Sequence, residues 1–457
     1  MERAEETGAL KKAFEGCTGN GYAVDDSQVI PDVTTYLTPS FDRDALLFSV
    51  PVVFSRTPGR EFPVDPKGLD GAVHVLIERI KEEAQKVAAL APLYGAGTKF
   101  PERYDATIEP YTVIHSQDAI GMHLWHPDAR NFADDKGVHF LVRGALPCPP
   151  TPGPNDDRQY LRDALLPLLD AMHAIIDTVP ARLLERGAER SLDQKLLRER
   201  LNSLGLVAFI GDGSRSARRC TRHRSFFRVA GIKDGVNVPF TCPPGLSPLE
   251  LELPVTKETV TGLGIRKREV FAVAGSNAQG KTTFLEGIIA GMDDHADGDG
   301  REMIVTVRGI ETAEAMNCEL AGSDVSMFFS SLPPGMSGTV GAAYGMGSGS
   351  MTMAAQVQRA CARHSPLLII DEDKAAPNLL VRSCLQGEEV TPLAELLASS
   401  RRNFNDTTLL FAACAMDTLI AQADRIMVLD RHVAGAIDRE RFIAMLKDSL
   451  KKTAERL

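Results

Sequence analysis

Gly275–Thr282 reads GSNAQGKT and fits the phosphate-binding pattern G-x-x-x-x-G-K-[ST]. In this pattern glycines let backbone N–H groups surround the phosphates, the lysine reaches the β- and γ-phosphates, and the final hydroxyl ligates Mg²⁺. An apolar run, Val270–Ala274, leads into the stretch, and Thr282–Ala290 follows it with the pattern of a helix. Phosphate binding at a helix N-terminus requires this order of strand, loop and helix, so a plain glycine turn is the weaker interpretation.

The stretch therefore predicts a site for ATP and Mg²⁺. The predicted nucleotide-binding residues are Gly275, Ser276, Asn277, Ala278, Gln279, Gly280, Lys281, Thr282 and Thr283. Lys281 is also a predicted catalytic residue, and Thr282 is a predicted metal ligand.

A second apolar run, Leu367–Ile370, ends in the carboxylates of Asp371 and Glu372. In a P-loop ATPase the first carboxylate holds Mg²⁺ through its water shell, and the second positions or deprotonates the attacking water. A core strand that meets a solvated acidic loop has the same pattern, but this run follows Thr282 at the distance that a nucleotide-binding fold needs. Asp371 is therefore a predicted metal residue and Glu372 the predicted catalytic base.

Ser348, Gly349 and Ser350 form a short SGS element between these two motifs. A helix-like stretch, Thr352–His364, follows the element and leads towards Asp371. This is the layout of an ABC-type ATPase, in which a serine-glycine signature at a helix N-terminus caps the γ-phosphate bound to the opposite subunit. The three residues are therefore predicted catalytic residues that complete the site of a partner chain, in preference to a simple glycine-serine turn.

Further segments carry a family resemblance: LGLVAFIGDG (Leu204–Gly213), VPF (Val238–Phe240), GDGRE (Gly298–Glu302), DVSMFFSSLP (Asp324–Pro333), SGSMTMA (Ser348–Ala354), IDED with Asn378 beyond it, and ADRIMVLD (Ala423–Asp430). They resemble the predicted ABC-class ATPases that are neither transporters nor chromosome-maintenance proteins. The best-described members of that family are mitochondrial RNA-editing-associated ATPases. Asp373 carries most weight, because transport ATPases usually have proline at this position.

The chain departs from the family in the loop after the two carboxylates. Members tend to read IDEDTSATN, whereas this chain reads IDEDKAAPN, so that 374–377 differ. That loop normally communicates across the dimer, and these substitutions bear on communication between the two sites. Cys414 stands where ABC ATPases at large carry a switch histidine, and slow turnover is the expectation.

Two contacts of transport ATPases have no counterpart that can be assigned from the sequence. The chain has no glutamine between Lys281 and Gln356 to contact Mg²⁺. It also has no aromatic residue between Thr241 and Val270 to stack on adenine. The base contact is therefore left open.

A basic run follows Gly213 and contains no acidic residue up to Lys233. Arginines that neutralise phosphates, interleaved with aromatic rings that stack on bases, are the ingredients of sequence-tolerant single-strand binding. A solvated basic loop or a local clamp on the nucleotide explains the residues equally well. The resemblance favours RNA, because its RNA-associated members are understood as homodimers around a positively charged pore. The predicted RNA-binding residues are Arg215, Arg218, Arg219, Arg222, Arg224, Phe226, Phe227 and Arg228.

The predicted fold class is α/β, with a P-loop ABC-type ATPase core, an antiparallel β-subdomain and an α+β N-terminal domain. Strand-like runs such as Leu46–Phe54 and a helical pattern over Gly71–Leu90 indicate the N-terminal domain. Two helical stretches follow, Gln159–Arg186 and Ser191–Leu204, the second opening with a capping box of Ser191 and Gln194. The predicted domains are 1–150, a helical connector 151–205, the ATPase core 206–435 and a C-terminal helix 436–457.

Composition agrees with this organisation. The chain has 457 residues, 44% hydrophobic and 25% charged, which is enough to bury the cores of two or three domains. No run approaches the length of a membrane span, so no membrane partner is expected. Eight cysteines without a C-x-x-C pair predict neither zinc nor disulfides and indicate a reducing, intracellular compartment. The acidic start lacks the character of a transit peptide, so a mitochondrial location is implied by the resemblance alone.

The sequence therefore predicts a homodimeric, Mg²⁺-dependent ATPase that binds RNA, and the resemblance implies RNA editing or processing within a larger complex. A nucleotide-gated RNA clamp with negligible turnover is the main alternative. The ATPase subunit of a transporter is a third interpretation, which Asp373 and the extra N-terminal domain disfavour.

Overall fold

The computed structural model describes residues 21–95, 111–115, 123–127, 130–148, 156–220, 227–229 and 238–457, except positions 32, 41, 42, 85, 296 and 400. Its first part is a unit of strands and helices. The elements of this unit are β1 (Tyr22–Val24), β2 (Tyr36–Pro39), β3 (Ala45–Phe54), α1 (Pro58–Glu61), α2 (Leu69–Glu83), β4 (Tyr111–His115), β5 (His123–Pro127), β6 (Phe132–Ala133) and β7 (Val138–Pro147).

An antiparallel sheet forms the middle of the N-terminal unit, in the order β1-β3-β7-β6 with β2 beside β3. The apolar face of α2 packs on it through buried side chains such as Leu76 and Ile80. The predicted strand Leu46–Phe54 is confirmed within β3. The predicted helix extends too far, because α2 ends at Glu83 and residues 88–94 form a separate 3-10 helix that contains Pro92.

Two long helices, α3 (Asp156–Thr178) and α4 (Ala181–Leu201), follow the N-terminal unit. They are separated at Pro180, which lacks the N–H that a continuous helix needs. The predicted break before Ser191 and its capping box with Gln194 are wrong. Both residues are buried inside α4, where their side chains bond to distant segments instead of to a helix end.

Helix α4 belongs to two hydrophobic cores. Leu184 and Ala188, near its start, pack in the core of the N-terminal unit together with α3. Leu197 and Leu201, near its end, pack in the core of the next unit. Within the described ranges no single helix has the length and hydropathy of a membrane span. α3 and α4 taken together, across an 83° bend, pass that test by length and composition alone.

The remaining elements build the C-terminal half. They are β8 (Leu206–Gly211), β9 (Arg218–Cys220), β10 (Phe227–Val229), β11 (Leu249–Glu252), β12 (Thr259–Arg266), β13 (Val270–Ala274), α5 (Lys281–Ala290), β14 (Ile304–Thr306), β15 (Glu311–Thr312), β16 (Cys318–Ser323), β17 (Ser337–Thr339), β18 (Ala342–Gly347), α6 (Gly349–Ala362), β19 (Leu367–Asp371), α7 (Pro377–Leu380), α8 (Leu393–Ser399), β20 (Thr408–Ala413), α9 (Asp417–Ile420), β21 (Arg425–Asp430), β22 (Val433–Ile437) and α10 (Arg439–Arg456).

The central sheet has the order β15-β19-β20-β13-β21-β22, and all its pairs are parallel except β21 with β22. Strands β13, β19 and β20 are buried along their whole length, which explains their continuous apolar sequences. Helix α5 packs in the core on one side and α6 in the core on the other. The carboxyl ends of β13, β19 and β20 therefore meet at one edge of the sheet.

A smaller antiparallel sheet, β11-β12-β8-β14, lies over α5 and shares its core. β9 and β10 form a separate antiparallel pair between β8 and β11. A third antiparallel sheet, β16-β18-β17, occupies the chain between β15 and α6. The sequence also predicts a strand over Val236–Phe240, but its described residues, 238–240, run as irregular chain beside α5.

Candidate nucleotide site

The loop between β13 and α5 needs glycine at two positions. Gly275 has φ +143°, and a Cβ on it would lie 2.4 Å from the carbonyl oxygen of Leu429. Gly280 has φ +92°, and a Cβ there would lie 3.1 Å from Nδ1 of His432. Ala278 also has a positive φ, of +58°. The chain therefore turns tightly ahead of α5, whose N-terminal N–H groups favour an anion.

Lys281 is the first residue of α5, and only 7% of it is exposed. Its Nζ donates to the carbonyl oxygens of Gly275 and Ser276, both at 2.9 Å. These bonds hold the ammonium beneath the loop, where it can exchange a carbonyl partner for a phosphate oxygen. This geometry is compatible with phosphate binding by Lys281, and the role of the lysine stays a prediction.

The other loop residues have different surroundings. Ser276, Asn277 and Ala278 form the exposed tip. The side chain of Gln279 accepts a hydrogen bond from the backbone N–H of Arg431, which ties the loop to the turn between β21 and β22. Thr283, half-buried on α5, faces the cavity described below.

Thr282 and Asp371 meet although they belong to different motifs. Oγ1 of Thr282 donates to Oδ2 of Asp371 at 2.6 Å, and Asp371 is 1% exposed. A hydroxyl and a carboxylate are the hard oxygen donors that Mg²⁺ prefers, with the carboxylate commonly acting through water. The two residues predicted to hold the metal therefore fit it in chemistry and in proximity.

Glu372, the predicted base, is engaged by the loop that follows β20. Its carboxylate accepts N–H bonds from the backbone of Cys414 and of Ala415, the latter at 3.2 and 3.3 Å. Cys414 occupies the position at which ABC ATPases at large carry a switch histidine. At this position backbone N–H groups, instead of a histidine side chain, contact the carboxylate of Glu372.

The signature residues begin α6, with Ser348 as the N-cap. Oγ of Ser348 lies 3.2 Å from Oγ of Ser350, and Ser348 is exposed. Gly349 packs against Ala315, since a Cβ on it would lie 3.0 Å from the Cβ of that residue. Ser348, Gly349 and Ser350 are not among the residues that line the cavity over the loop in the same chain.

A cavity of about 470 Å³ lies over the start of α5. Its apolar side holds Val238, Phe240 and Phe284, and the rings of the two phenylalanines are 5.7 Å apart between centroids. Its polar side holds Arg301 and His432. The cavity can take phosphates at the loop and an aromatic base beside Phe240, which lies one position before the stretch searched for a stacking residue.

Residues 180–456 match the P-loop domain of the ABC ATPase family. The chain belongs to the ABC-class ATPases. An uncharacterized protein of Methanocaldococcus jannaschii is 39% identical over 373 residues, which cover 81% of this chain and 81% of that protein.

Solved structures with the same kind of domain overlap only in part. One is cbiO1 of Clostridium perfringens, part of the ABC transporter complex cbiONQ, with 14% identity, coverage of 55% of this chain and 96% of that chain, and a TM-score of 0.33. Another is a nucleotide-free ATP-binding cassette from an ABC transporter, with 15% identity, coverage of 41% and 87%, and a TM-score of 0.26. Overlaps at these TM-scores do not distinguish one use of the fold from another.

The fold class predicted from the sequence is confirmed. This ABC-class ATPase has a P-loop core with a mostly parallel sheet and an antiparallel β-subdomain over α5. The match to the family begins at residue 180, directly before α4, and runs to the last residue of α10.

Several pocket residues of this ABC-class ATPase were missed by the sequence reasoning. Glu286 lies on α5 one turn after Thr282 and lines the cavity. Its pKa is raised to about 7, chiefly by burial, with Lys374 opposing the shift and the charge of Asp371 adding to it. Arg301 belongs to the GDGRE segment, whose resemblance to the family was a signal that could have found it. His432 has no motif and is brought to the loop by the sheet alone.

The basic run is described only in part. Arg215 donates its backbone N–H to the carbonyl of Gly300 at 2.6 Å. For Arg218, Arg219, Phe227 and Arg228 the structure gives the backbone of β9 and β10. Arg222, Arg224 and Phe226 lie outside the described residues, so the predicted RNA contacts stay predictions.

The residues on either side of the basic run, 213–216 and 238–240, meet at the nucleotide cavity. The backbones of Gly213 and Phe240 and of Phe240 and Ser214 are joined by hydrogen bonds of 2.8 Å. Ser214, Ser216 and Phe240 line the cavity, and Ser216 packs against α5 at Gly287. The chain therefore enters and leaves the basic run beside the site where ATP is expected.

Proposed function

We propose that this chain is a homodimeric ATPase that binds and hydrolyses ATP with Mg²⁺ at two composite sites, and that it binds RNA. The observation that carries the ATPase proposal is the hydrogen bond of 2.6 Å between Thr282 and Asp371. It joins the phosphate loop to the strand that carries the two carboxylates. The two residues are 89 positions apart along the chain, and a nucleotide site requires them to meet in the fold.

The residues divide the work as follows. Lys281 and the N–H groups at the start of α5 bind and orient the phosphates. Thr282 and Asp371 would hold Mg²⁺, which when bound neutralises charge on the phosphate oxygens. Glu372 leaves the amides of Cys414 and Ala415 and accepts a proton from the attacking water. The partner's copy of the SGS element donates to the γ-phosphate and excludes bulk solvent other than the attacking water.

Two substitutions separate binding from chemistry. Glu372→Gln keeps ATP binding and lowers turnover roughly a hundredfold or more, because glutamine can bond the water but cannot take its proton. Lys281→Ala weakens ATP binding by about tenfold or more, since a charged hydrogen-bond donor is lost. Exposed Lys267→Ala is the matched control. Hydrolysis by Glu372→Gln at the wild-type rate would show that the assigned base is wrong.

A second experiment addresses the dimer. The signature does not line the cavity of its own chain, and this supports a site completed by a second copy. ATP and Mg²⁺ added to Glu372→Gln should raise the mass measured by light scattering to that of a dimer. Ser348→Arg should oppose this through bulk, whereas Ser449→Arg on α10 should not. A monomer in every nucleotide state would contradict the composite site.

A nucleotide-gated clamp remains a second candidate, favoured by the bonds that hold Glu372 to the loop after β20. In such a clamp ATP drives closure on RNA and turnover is incidental. Wild type and Glu372→Gln would then retain RNA equally in the presence of ATP, with hydrolysis at background. Faster RNA release by wild type than by Glu372→Gln would favour the ATPase.

RNA binding is proposed from the charge of the basic run and from the position of its flanking residues, 213–216 and 238–240, at the cavity. Charge reversal at Arg222 and Arg224 should weaken single-stranded RNA binding for all sequences and flatten its salt dependence, because fewer counterions are released. Replacing Phe226 and Phe227 by alanine should lower affinity with little change in the salt slope. Unaltered RNA binding in both variants would remove this segment from the interface, and loss of ATP binding would favour a nucleotide clamp instead.

A further inference from the structure

Residues 313–316 connect the two halves of the composite site within one chain. They follow β15, which lies at the edge of the central sheet beside β19. Segment 313–316, as we call it, contacts β19 and the loop after it on one side, and the signature helix α6 on the other. Nothing in the motifs of the sequence marks it.

On the side of the carboxylates, three bonds fix segment 313–316. The N–H of Ala313 donates to the carbonyl of Ile369 at 3.1 Å, which extends the sheet by one residue. The N–H of Ala315 donates to the carbonyl of Lys374 at 2.8 Å. The Nζ of Lys374 then pairs with Oε1 of Glu314 at 3.3 Å. Lys374 thus holds the segment by its backbone and by its side chain.

On the side of the signature, the bonds come from α6. Oε1 of Gln356 accepts the N–H of Glu314 at 2.6 Å. Oγ1 of Thr352 donates to the carbonyl of Met316 at 2.5 Å and accepts the backbone N–H of Met316 at 3.2 Å. Gly349 of the SGS element touches Ala315. The helix that presents Ser348 is therefore seated on segment 313–316.

The hydrogen bonds of segment 313–316 are costly to break because most of the groups that form them are buried. Thr352 is 2% exposed, and Glu314 and Gln356 are each 9% exposed. A buried polar group that loses its partner is destabilising, so the network resists small displacements of α6. The Lys374 side chain, by contrast, is 30% exposed, so this member of the network contacts solvent.

We propose that Glu314 and Lys374 are positioning residues for the ATPase reaction, because their ion pair sets the signature helix relative to the strand that carries Asp371 and Glu372. The inference rests on the proposed function. In a composite dimer the signature serves the partner's nucleotide, while Asp371 serves the nucleotide of its own chain. The pair thereby links the two sites through a lysine that stands where the family resemblance expects threonine.

Two variants distinguish positioning from simple charge effects. Lys374→Met removes a positive charge close to Asp371 and Glu286, and Glu314→Gln removes a negative one. Electrostatics alone would make their effects opposite, and the double variant would return to wild type. Positioning predicts that kcat falls roughly tenfold or more in both, and that the double variant is no better than either single one.

The readouts should separate as follows. ATP affinity of each variant measured under monomeric conditions should stay within about twofold of wild type, because Lys281 and Thr282 are untouched. ATP-dependent dimerisation in the Glu372→Gln background should weaken. Lys374→Arg, which keeps the ion pair, should restore kcat. Lys257→Met, an exposed lysine 3.9 Å from Glu252, is the matched control.

The possible failures are distinguishable. If wild type hydrolyses ATP and Lys374→Met and Glu314→Gln do so at the same rate, the inference is wrong and the proposed function stands. Opposite effects that cancel in the double variant would also overturn it. If neither wild type nor Lys281→Ala differs from background, the proposed function itself fails. Thermal unfolding of each variant identifies a loss of folding. If Lys374→Met fails to fold, Lys374→Arg still tests the inference, because it keeps the ion pair and should retain the wild-type kcat.

Discussion

The two ends of helix α5 differ in how their charges are balanced. At its N-terminal end, Lys281 bonds to two backbone carbonyls and Thr282 to Asp371, beside a cavity open to a ligand. At its C-terminal end, Asp294 is 3% exposed and bonds to Arg198 at 2.8 Å and to Lys195 at 2.7 Å. The first set can exchange partners with a nucleotide, whereas the second is already neutralised within the protein.

The second set joins the ATPase core to the N-terminal unit. Lys195 also pairs with Asp70 of α2 at 2.5 Å, and Ser191 donates to Asp70 at 2.8 Å. Arg198 donates further to the carbonyls of Gly291 and Asp293. Desolvation would raise the pKa of the Asp294 carboxyl, but the two cations hold it below its ordinary value. A charged cluster on α4 thus ties the end of the P-loop helix to the preceding domain.

Arg198→Met should have the largest effect on stability among the variants that test this contrast. It leaves the buried Asp294 with Lys195 as the remaining cation. It also removes the guanidinium bonds to the carbonyls of Thr306, Gly291 and Asp293. The free energy of unfolding should therefore fall by about 3–5 kcal/mol. Chemical denaturation followed by circular dichroism measures the loss. Arg200→Met on the exposed side of α4 is the control. A change below about 1 kcal/mol would mean that the cluster is not a structural joint.

Gly71→Ala tests the contact that brings α2 to α4. A Cβ on Gly71 would lie 2.0 Å from the carbonyl oxygen of Gly187, and backbone cannot move aside as a side chain can. The two helices must separate, and overpacking of this kind costs about 1–3 kcal/mol. Gly59→Ala is the matched control, because its Cβ would meet only Leu69 at an ordinary 3.6 Å. Equal stability of the two variants would contradict the close contact.

Glu286→Gln tests the end of α5 that faces the cavity. Its folded-state pKa of about 7 exceeds the ordinary 4.5, so the native state binds the proton more tightly. Stability from this group is full below pH 4.5 and is lost as pH rises to about 7. At pH 8 the glutamine variant should therefore be more stable by about 1–2 kcal/mol, with little difference at pH 4. Thermal melts across this range, with Glu455→Gln as control, check the sign.

The same contrast explains what the sequence could predict. β13, the loop and α5 were predicted closely because their signal is local: an apolar strand, glycines and a helix within a short stretch. Ser191 and Gln194 were misread as a helix cap, since their partners Asp70 and His295 are more than a hundred positions away along the chain. Phe240 and His432 lie outside the strands, and the packing of segments distant in sequence brings them to the cavity. Their places depend on tertiary structure, which no local pattern carries.

Ala278→Gly has the smallest expected effect and tests the backbone of the phosphate loop. Ala278 has φ +58°, where a Cβ costs about 1 kcal/mol, and its side chain is at the exposed tip. Glycine removes that strain but gains entropy in the unfolded chain, so the net stabilisation should be below about 1 kcal/mol. Gly280→Ala, at φ +92° beside His432, should destabilise instead. A loss of stability in Ala278→Gly would mean that the loop adopts another conformation without nucleotide, and ATP titration of the melting temperature would then reveal the change.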